Sequence, residues 1–322
     1  MKAFLAGLAA AALAALPCAV PAQTWPAKPI RFLMTAPTGS SIDVIGRILA
    51  DKIKGPLGQS IIVEDRAGAG GTIATDAAAK APPDGYTMVL SFNGPLAFGP
   101  YMYTRLPYDP LKDLAPVILT TSQPNLLAIN ASLPVNSVKE LIDYARKNPG
   151  KLNYASVGNG SSSHLTMELL KMTAGLYIVH IPYNGSPPAA ASLAAGDTQL
   201  LFAVPTAITP LIQAGKVKAL AVTGLKRYSL MPKVPTVAES GLPGFEALAW
   251  NGVLVPAGTP RPIIERLNRV MNSALNAPDV RQKLNAAGLD PVGGTPEDFG
   301  RLIRSEGQKW APVIRRTGAK ID

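Results

Sequence analysis

Two stretches far apart in the chain carry the residues best suited to hold a ligand. One is Tyr154 to Leu170, Y-A-S-V-G-N-G-S-S-S-H-L-T-M-E-L-L; the other is Phe32 to Leu49, F-L-M-T-A-P-T-G-S-S-I-D-V-I-G-R-I-L. Each reads as a short strand, a Gly/Ser turn and the start of a helix. The first N–H groups of a helix lack carbonyl partners and sit at the positive end of the dipole, so such a turn holds anions. Serine hydroxyls add donors at the same place. Two such turns suggest half-sites that close on one small anionic ligand. The same serines also serve as ordinary helix caps, which need no ligand. Three serines plus Asn159 exceed what one cap requires. Asp43 is expected to brace its own turn, since its charge would repel an anion.

Other chemistries fit less well. Ser161, Ser162 and Ser163 stand beside His164, which raises a secreted serine hydrolase as the alternative. A triad needs nucleophile and base to meet in space with a third orienting group, and the G-x-S-x-G elbow is absent from this turn. His164 is therefore read as a structural hydrogen-bonder. A metal centre needs three or four clustered ligands. Beyond residue 22 the chain has His164 and His180 and no cysteine, so neither metal nor cofactor is expected. Gly68-Ala-Gly-Gly71 follows a strand and opens a helix, but Ile73 stands where G-x-G-x-x-G requires its last glycine, and no Walker lysine exists. It reads as a tight structural turn, with Arg66 either pairing to Glu64 or Asp65 or facing solvent. Asn93-Gly94 and Tyr183-Asn184-Gly185 each follow a strand and either line a site or merely turn.

The surrounding elements place these turns. A strand at Ile30–Thr35 precedes the first turn, and Val44, Ile45, Ile48, Leu49 and Ile53 mark one face of the following helix, which Gly55-Pro56 ends. Strands at 61–64 and 86–91 alternate with an Ala-rich helix, the grammar of a doubly wound sheet. Extended segments at 117–120 and 126–130 lead to a second unit: a capping box at Ser137–Glu140, the strand at Tyr154, the second turn, and strands at 177–181, 199–204 and 217–222. An extended piece, 246–255, leads to three closing helical segments, the first capped by Thr259 and the last by Thr295 with Pro296 behind it. The order implies that the chain crosses into the second unit near 120–126 and returns near 245–255. Two crossings make a hinge, and clefts between hinged α/β domains bind ligands.

Charge and composition narrow the class. At 322 residues and 47% hydrophobic, the chain is long enough for two cored domains. Its 31 Lys+Arg against 21 Asp+Glu give +10, but no basic run appears, which argues against nucleic acid and for a mild attraction to small anions. Lys2, the apolar run Phe4–Leu16 and Val20-Pro21-Ala22 read as a cleaved signal over residues 1–22, so the mature protein is expected to be exported. Cys18 falls inside that signal. A lipid-anchored cysteine is disfavoured by Pro17 and by Ala15, where such signals usually carry Leu.

With these motifs in order, the chain resembles the receptors of tripartite tricarboxylate transporters, the TctC or Bug-type periplasmic solute-binding proteins. The matching stretches include W-P-A-K-P-I-R (Trp25 to Arg31), P-T-G-S-S-I-D (Pro37 to Asp43) and V-E-D-R-A-G-A-G-G-T-I (Val63 to Ile73). They continue through A-P-P-D-G-Y-T (Ala81 to Thr87), L-P-Y-D-P-L-K-D-L (Leu106 to Leu114), the Asn148–Leu165 segment, I-P-Y-N-G (Ile181 to Gly185), V-P-T-V-A-E-S-G-L-P-G (Val234 to Gly244) and P-A-G-T-P (Pro256 to Pro260). The resemblance implies an α/β, two-domain Venus-flytrap fold of type II-like kind, each domain a mostly parallel sheet flanked by helices. Domain 1 would comprise residues 23–122 and 250–322, and domain 2 residues 123–249. It implies a small carboxylate held in the cleft and passed to integral-membrane transporter subunits, or sensed by an orphan receptor. Carried over, the binding residues are Thr38, Gly39, Ser40 and Ser41 from the first turn, and Gly158, Asn159, Gly160, Ser161, Ser162 and His164 from the second. Asn93, Tyr183 and Thr206 are expected on the walls. The chain departs from the family pattern at Ser40, where a second glycine is usual, and at Ser192 and Ala203, where relatives often carry Asp. Loss of an acid at Ala203 favours a ligand whose distal end is neutral or anionic.

Overall fold

The computed structural model describes residues 25–318 and 320; the expected signal, residues 1–22, and Cys18 lie outside the described residues. Two five-stranded sheets organise the chain. The first has the order β2-β1-β3-β10-β4, built from β1 (Ile30–Met34), β2 (Ile61–Asp65), β3 (Thr87–Phe92), β4 (Leu114–Pro124) and β10 (Leu248–Pro256). The second has the order β7-β6-β8-β5-β9, from β5 (Leu126–Asn130), β6 (Asn153–Ser156), β7 (Val179–Pro182), β8 (Leu200–Ala203) and β9 (Val217–Val222). Helices α1 (Ser41–Leu57), α2 (Thr72–Ala79), α3 (Gly99–Met102), α4 (Val138–Lys147), α5 (Ser162–Ala174), α6 (Ser186–Ala195), α7 (Pro205–Gln213), α8 (Arg261–Asn276), α9 (Pro278–Ala286) and α10 (Pro296–Thr317) flank them.

Both sheets are mixed, with four of the five strands in each running the same way, as a mostly parallel sheet requires. β2, β1 and β3 run parallel, but β10 is antiparallel to both β3 and β4. In the second sheet β7, β6 and β8 run parallel while β5 is antiparallel to β8 and β9. The cause is the crossing itself. A strand that enters from the other sheet, rather than through a helix on its own sheet, is free of the right-handed βαβ rule.

Local sequence accounts for the helix ends. Ser40 caps α1, accepting from Asp43 N at 3.2 Å, and Gly58 closes it at φ 72°. The helix thus runs past Gly55-Pro56, because a proline in the last turn forfeits a hydrogen bond without stopping the chain at once. Ser137 caps α4, while the Glu140 carboxylate reaches back to Asn136 N at 2.8 Å. Thr295 and Asp298 form a full capping box on α10. Thr259 does not cap α8. Its hydroxyl donates to Pro256 O at 2.7 Å, tightening the preceding turn, and Pro260 takes the cap position with no side-chain bond.

The closing helices pack on the first lobe, and the last of them also touches the second. α8 and α9 lie against α1 on the first sheet, and α10 lies against β4 and also against α5 beside the second sheet. Trp310 meets Phe98 with ring centroids 5.3 Å apart, and Phe299 meets Trp250 edge-on at 5.7 Å. Each fully buried ring of this kind contributes about 1.5–3 kcal/mol.

The chain passes between sheets twice, between Pro124 and Leu126 and again just before Leu248. The expected boundaries at 122/123 and 249/250 therefore fall inside β4 and β10. Thr223 staples the two passages. Its N–H donates to Asn125 O (2.9 Å), its hydroxyl accepts from Asn125 N (2.8 Å) and donates to Ala247 O, and its carbonyl accepts from Ala247 N (3.0 Å). Thr223→Val keeps the shape but strands a buried N–H and a buried carbonyl. It should cost about 2–4 kcal/mol, read as a lower urea midpoint. An unchanged midpoint would show that the hydroxyl does not tie the hinge.

Candidate functional site

The lobes enclose a cavity of about 340 Å³. Its walls come from the carboxyl ends of all six parallel strands. Thr35 and Ala36 follow β1, Ala67–Gly71 follow β2, and Asn93 follows β3; Val157 and Gly158 follow β6, Tyr183–Ser186 follow β7, and Val204 follows β8. Open α/β sheets bind ligands beyond these strand ends. Here two such edges face each other.

The first turn is self-satisfied except where it meets the cavity. Ser40 N donates to Pro37 O at 3.1 Å, and Gly39, at φ 81°, donates to Asp43 Oδ2 at 2.9 Å. Asp43 Oδ1 pairs with Arg47 at 2.5 Å, so its charge is spent inside the turn. Among the described residues the N–H groups of Ser41 and Ile42 have no internal partner, and both residues line the cavity. The second turn repeats this. Ser161 caps α5 through His164 N (3.2 Å) and donates to Gly158 O (2.7 Å). The N–H groups of Ser162 and Ser163 are left facing the cavity. α6 also starts at the wall, with Ser186. Among the described residues lining the cavity, none is charged. The positive potential there is made by helix starts alone.

Seven expected site residues line the cavity: Ser40, Ser41, Asn93, Gly158, Ser161, Ser162 and Tyr183. Five stand behind it. Thr38 donates to Asp65 Oδ2 at 2.6 Å, Gly39 holds Asp43, and Asn159 and Gly160 meet the opposite lobe through their carbonyls. His164 is buried, and its Nδ1 accepts from Gly160 N at 3.1 Å, which places its proton on Nε2. Thr206 is the second residue of α7. Tyr183 is on the wall, but its hydroxyl donates to Ser192 at 2.6 Å. Asn93 pins β10 by donating to Leu248 O at 3.1 Å.

Sequence reasoning missed a third wall. The Ala67–Gly71 loop, expected as a purely structural turn, lines the cavity, with Gly68, Gly70 and Gly71 all in the positive-φ region. The signal was its place at the end of a parallel strand. Gln123, Asn125, Trp250 and Asn251 on the passages between sheets were missed as well. Ala203 does line the cavity, while Ser192 is turned to Tyr183 and Thr198.

Behind the second turn lies a stack of rings. The rings of His164 and His180 stack with centroids 4.1 Å apart and planes nearly parallel, and Tyr154 covers His180 at 4.6 Å. Tyr154 donates to Glu168 (2.6 Å), which also pairs with Lys171 (2.5 Å). Burial, reinforced by Lys171, lowers the His164 pKa to about 4. Burial and the neighbouring His164 lower that of His180 to about 3. Neither imidazole reaches Ser161, Ser162 or Ser163. Their hydroxyls are bonded to Gly158 O, Asn125 and Phe202 O instead, which is no nucleophile–base arrangement.

Two lobes whose parallel-strand ends face across an uncharged, donor-rich cavity define a two-domain α/β ligand-binding protein. The match over residues 45–319 is to the tripartite tricarboxylate transporter family receptor model, and the chain belongs to that family. The family is one of receptors, not enzymes. Protein BugT of Bordetella pertussis (strain Tohama I) is 40% identical over 96% of this chain and 95% of its own length. Among solved structures, R. palustris Rpa4515 with adipate aligns with a TM-score of 0.87 at 37% identity, over 91% of this chain and 98% of that one. MatC (Rpa3494) from Rhodopseudomonas palustris with bound malate aligns at 0.85 and 31%, over 90% and 100%.

Proposed function

We propose that the protein is a periplasmic receptor that captures a small carboxylate between its lobes and hands it to integral-membrane transporter subunits. One observation carries this reading: free N–H pairs at Ser41/Ile42 and Ser162/Ser163 start helices in different lobes and line one cavity. A carboxylate between them satisfies donors from both sides, so it favours the closed arrangement by its differential contacts. The adipate and malate in the two related structures support a carboxylate as ligand. Delivery to a transporter rests on the family alone.

Mass spectrometry of ligand released from freshly purified protein, followed by calorimetry with candidate acids, tests the proposal. Stoichiometric recovery of an unchanged acid is expected. An acid present at 100 times its Kd should add about 2.7 kcal/mol of stability. If no small carboxylate shifts the melting temperature, the reading fails.

A further inference from the structure

Gln123 is the one cavity residue whose buried side chain is wholly unpartnered. It is 1% exposed, and neither its Oε1 nor its Nε2 has a hydrogen-bond partner among the described residues. The neighbouring amides are engaged: Asn125 Nδ2 donates to Ser162 Oγ (2.7 Å), Asn251 Nδ2 to Thr121 Oγ1 (2.9 Å), and Asn93 Nδ2 to Leu248 O. Native structures rarely leave a buried carboxamide empty, and each unmade bond carries its desolvation cost. Gln123 also sits on β4 two residues before Asn125, which itself reaches the start of α5. Two residues of strand span about 6.6 Å, so one short molecule can touch both the helix starts and Gln123.

We propose that Gln123 reads the end of the ligand remote from the helix starts, and that this end is a neutral group able both to donate and to accept, of which a primary amide is the type. The inference rests on the carboxylate-receptor reading and names its ligand more closely, as a carboxylate carrying an amide-like second end. A carboxamide offers donors and an acceptor side by side. A second carboxylate would satisfy Nε2 but press its charge against Oε1. Nothing on the wall would neutralise that charge, since no Lys, Arg or His lines the cavity among the described residues. Phe92, Val157, Ala203 and Trp250 supply an apolar surround in which an unmatched charge is costly.

Calorimetry with succinate, glutarate and adipate against their monoamides decides this. The full-length protein should bind the best monoamide roughly tenfold or more tightly than the matching diacid. In Gln123→Met, which keeps length and removes both polar atoms, that ratio should fall to about two or less. Ligand-free Gln123→Met should also melt no lower than the parent, because an unpaired buried amide has been removed. Diacids binding as well as or better than monoamides, or an undiminished ratio in Gln123→Met, overturns the assignment while leaving a carboxylate receptor standing. A lower ligand-free melting temperature in Gln123→Met also overturns it, by showing that the amide is structurally bonded. Absence of binding by every acid in both proteins overturns the receptor reading and this inference with it.

Discussion

Gly70→Ala should weaken ligand binding by roughly tenfold or more while costing only about 1 kcal/mol of stability. Gly70 lies at φ 63° in the loop after β2, and a Cβ there would stand 2.8 Å from the carbonyl oxygen of Asn159. Asn159 belongs to the turn before α5, on the opposite lobe. The backbones of the two lobes therefore close against each other at this glycine. Gly94, near Gly160 O, and Gly185, near Pro37, make similar approaches. A methyl group at position 70 cannot be absorbed by a side-chain rotation, since what it meets is backbone. It can be absorbed by opening the lobes, and the energy of opening is subtracted from binding. Left-handed strain alone would lower stability but spare the ligand. Gly58→Ala separates the two effects, because Gly58 has φ 72° and nothing within 4 Å of its added Cβ. Both variants should melt a few degrees lower, and only Gly70→Ala should lose affinity by calorimetry. Equal affinities in the two would mean that closure does not bring Gly70 against Asn159.

The same loop marks where the sequence was legible and where it was not. Serines at the starts of α1 and α5 announce themselves because a cap needs few residues and those turns hold more. The Ala67–Gly71 loop has no hydroxyl and no charge, and its role depends on the strand it follows pairing in parallel with β1, so that both strands end on the cavity. That is a fact of topology. Gln123, Trp250 and Asn251 are harder still. They sit on β4 and β10, whose pairing slips at Asn251/Gly252 and Val253/Leu254, so inward and outward faces cannot be counted by alternation. The strands themselves were visible from their apolar runs, but their antiparallel sense was not, because it comes from the passage between lobes. Thr259 failed as a cap for a local reason, since the helix starts at Arg261 and Thr259 stands one residue ahead of the cap position.

Acid should destabilise this protein in a window set by its two histidines. Both imidazoles are ordinarily half-protonated near 6.5, yet in the fold their values are about 4 for His164 and about 3 for His180. Well above pH 6.5 both are neutral whether folded or not, and this contribution to stability is complete. As pH falls below 6.5 the unfolded chain takes up protons that the native state refuses, so stability drops by about 1.36 kcal/mol per pH unit for each histidine. The loss continues until the native groups titrate, near pH 4 and then 3. Between pH 7 and 5 the pair should remove about 4 kcal/mol. Carboxylates whose values are lowered by partners, such as Glu64 beside Arg31 and Glu239 beside Thr236 and Arg227, lose their contribution only as pH falls below the ordinary value of 4.5. The upper half of the window therefore belongs to the histidines. Protonation of His164 Nδ1 would also remove the acceptor for Gly160 N, so the turn that starts α5 should loosen with it. Urea titrations at pH 7, 6 and 5 read the slope directly, and His180→Phe should reduce it by about half while keeping the ring stack. A denaturation midpoint unchanged from pH 7 to 5 would mean that neither histidine is held neutral in the native protein.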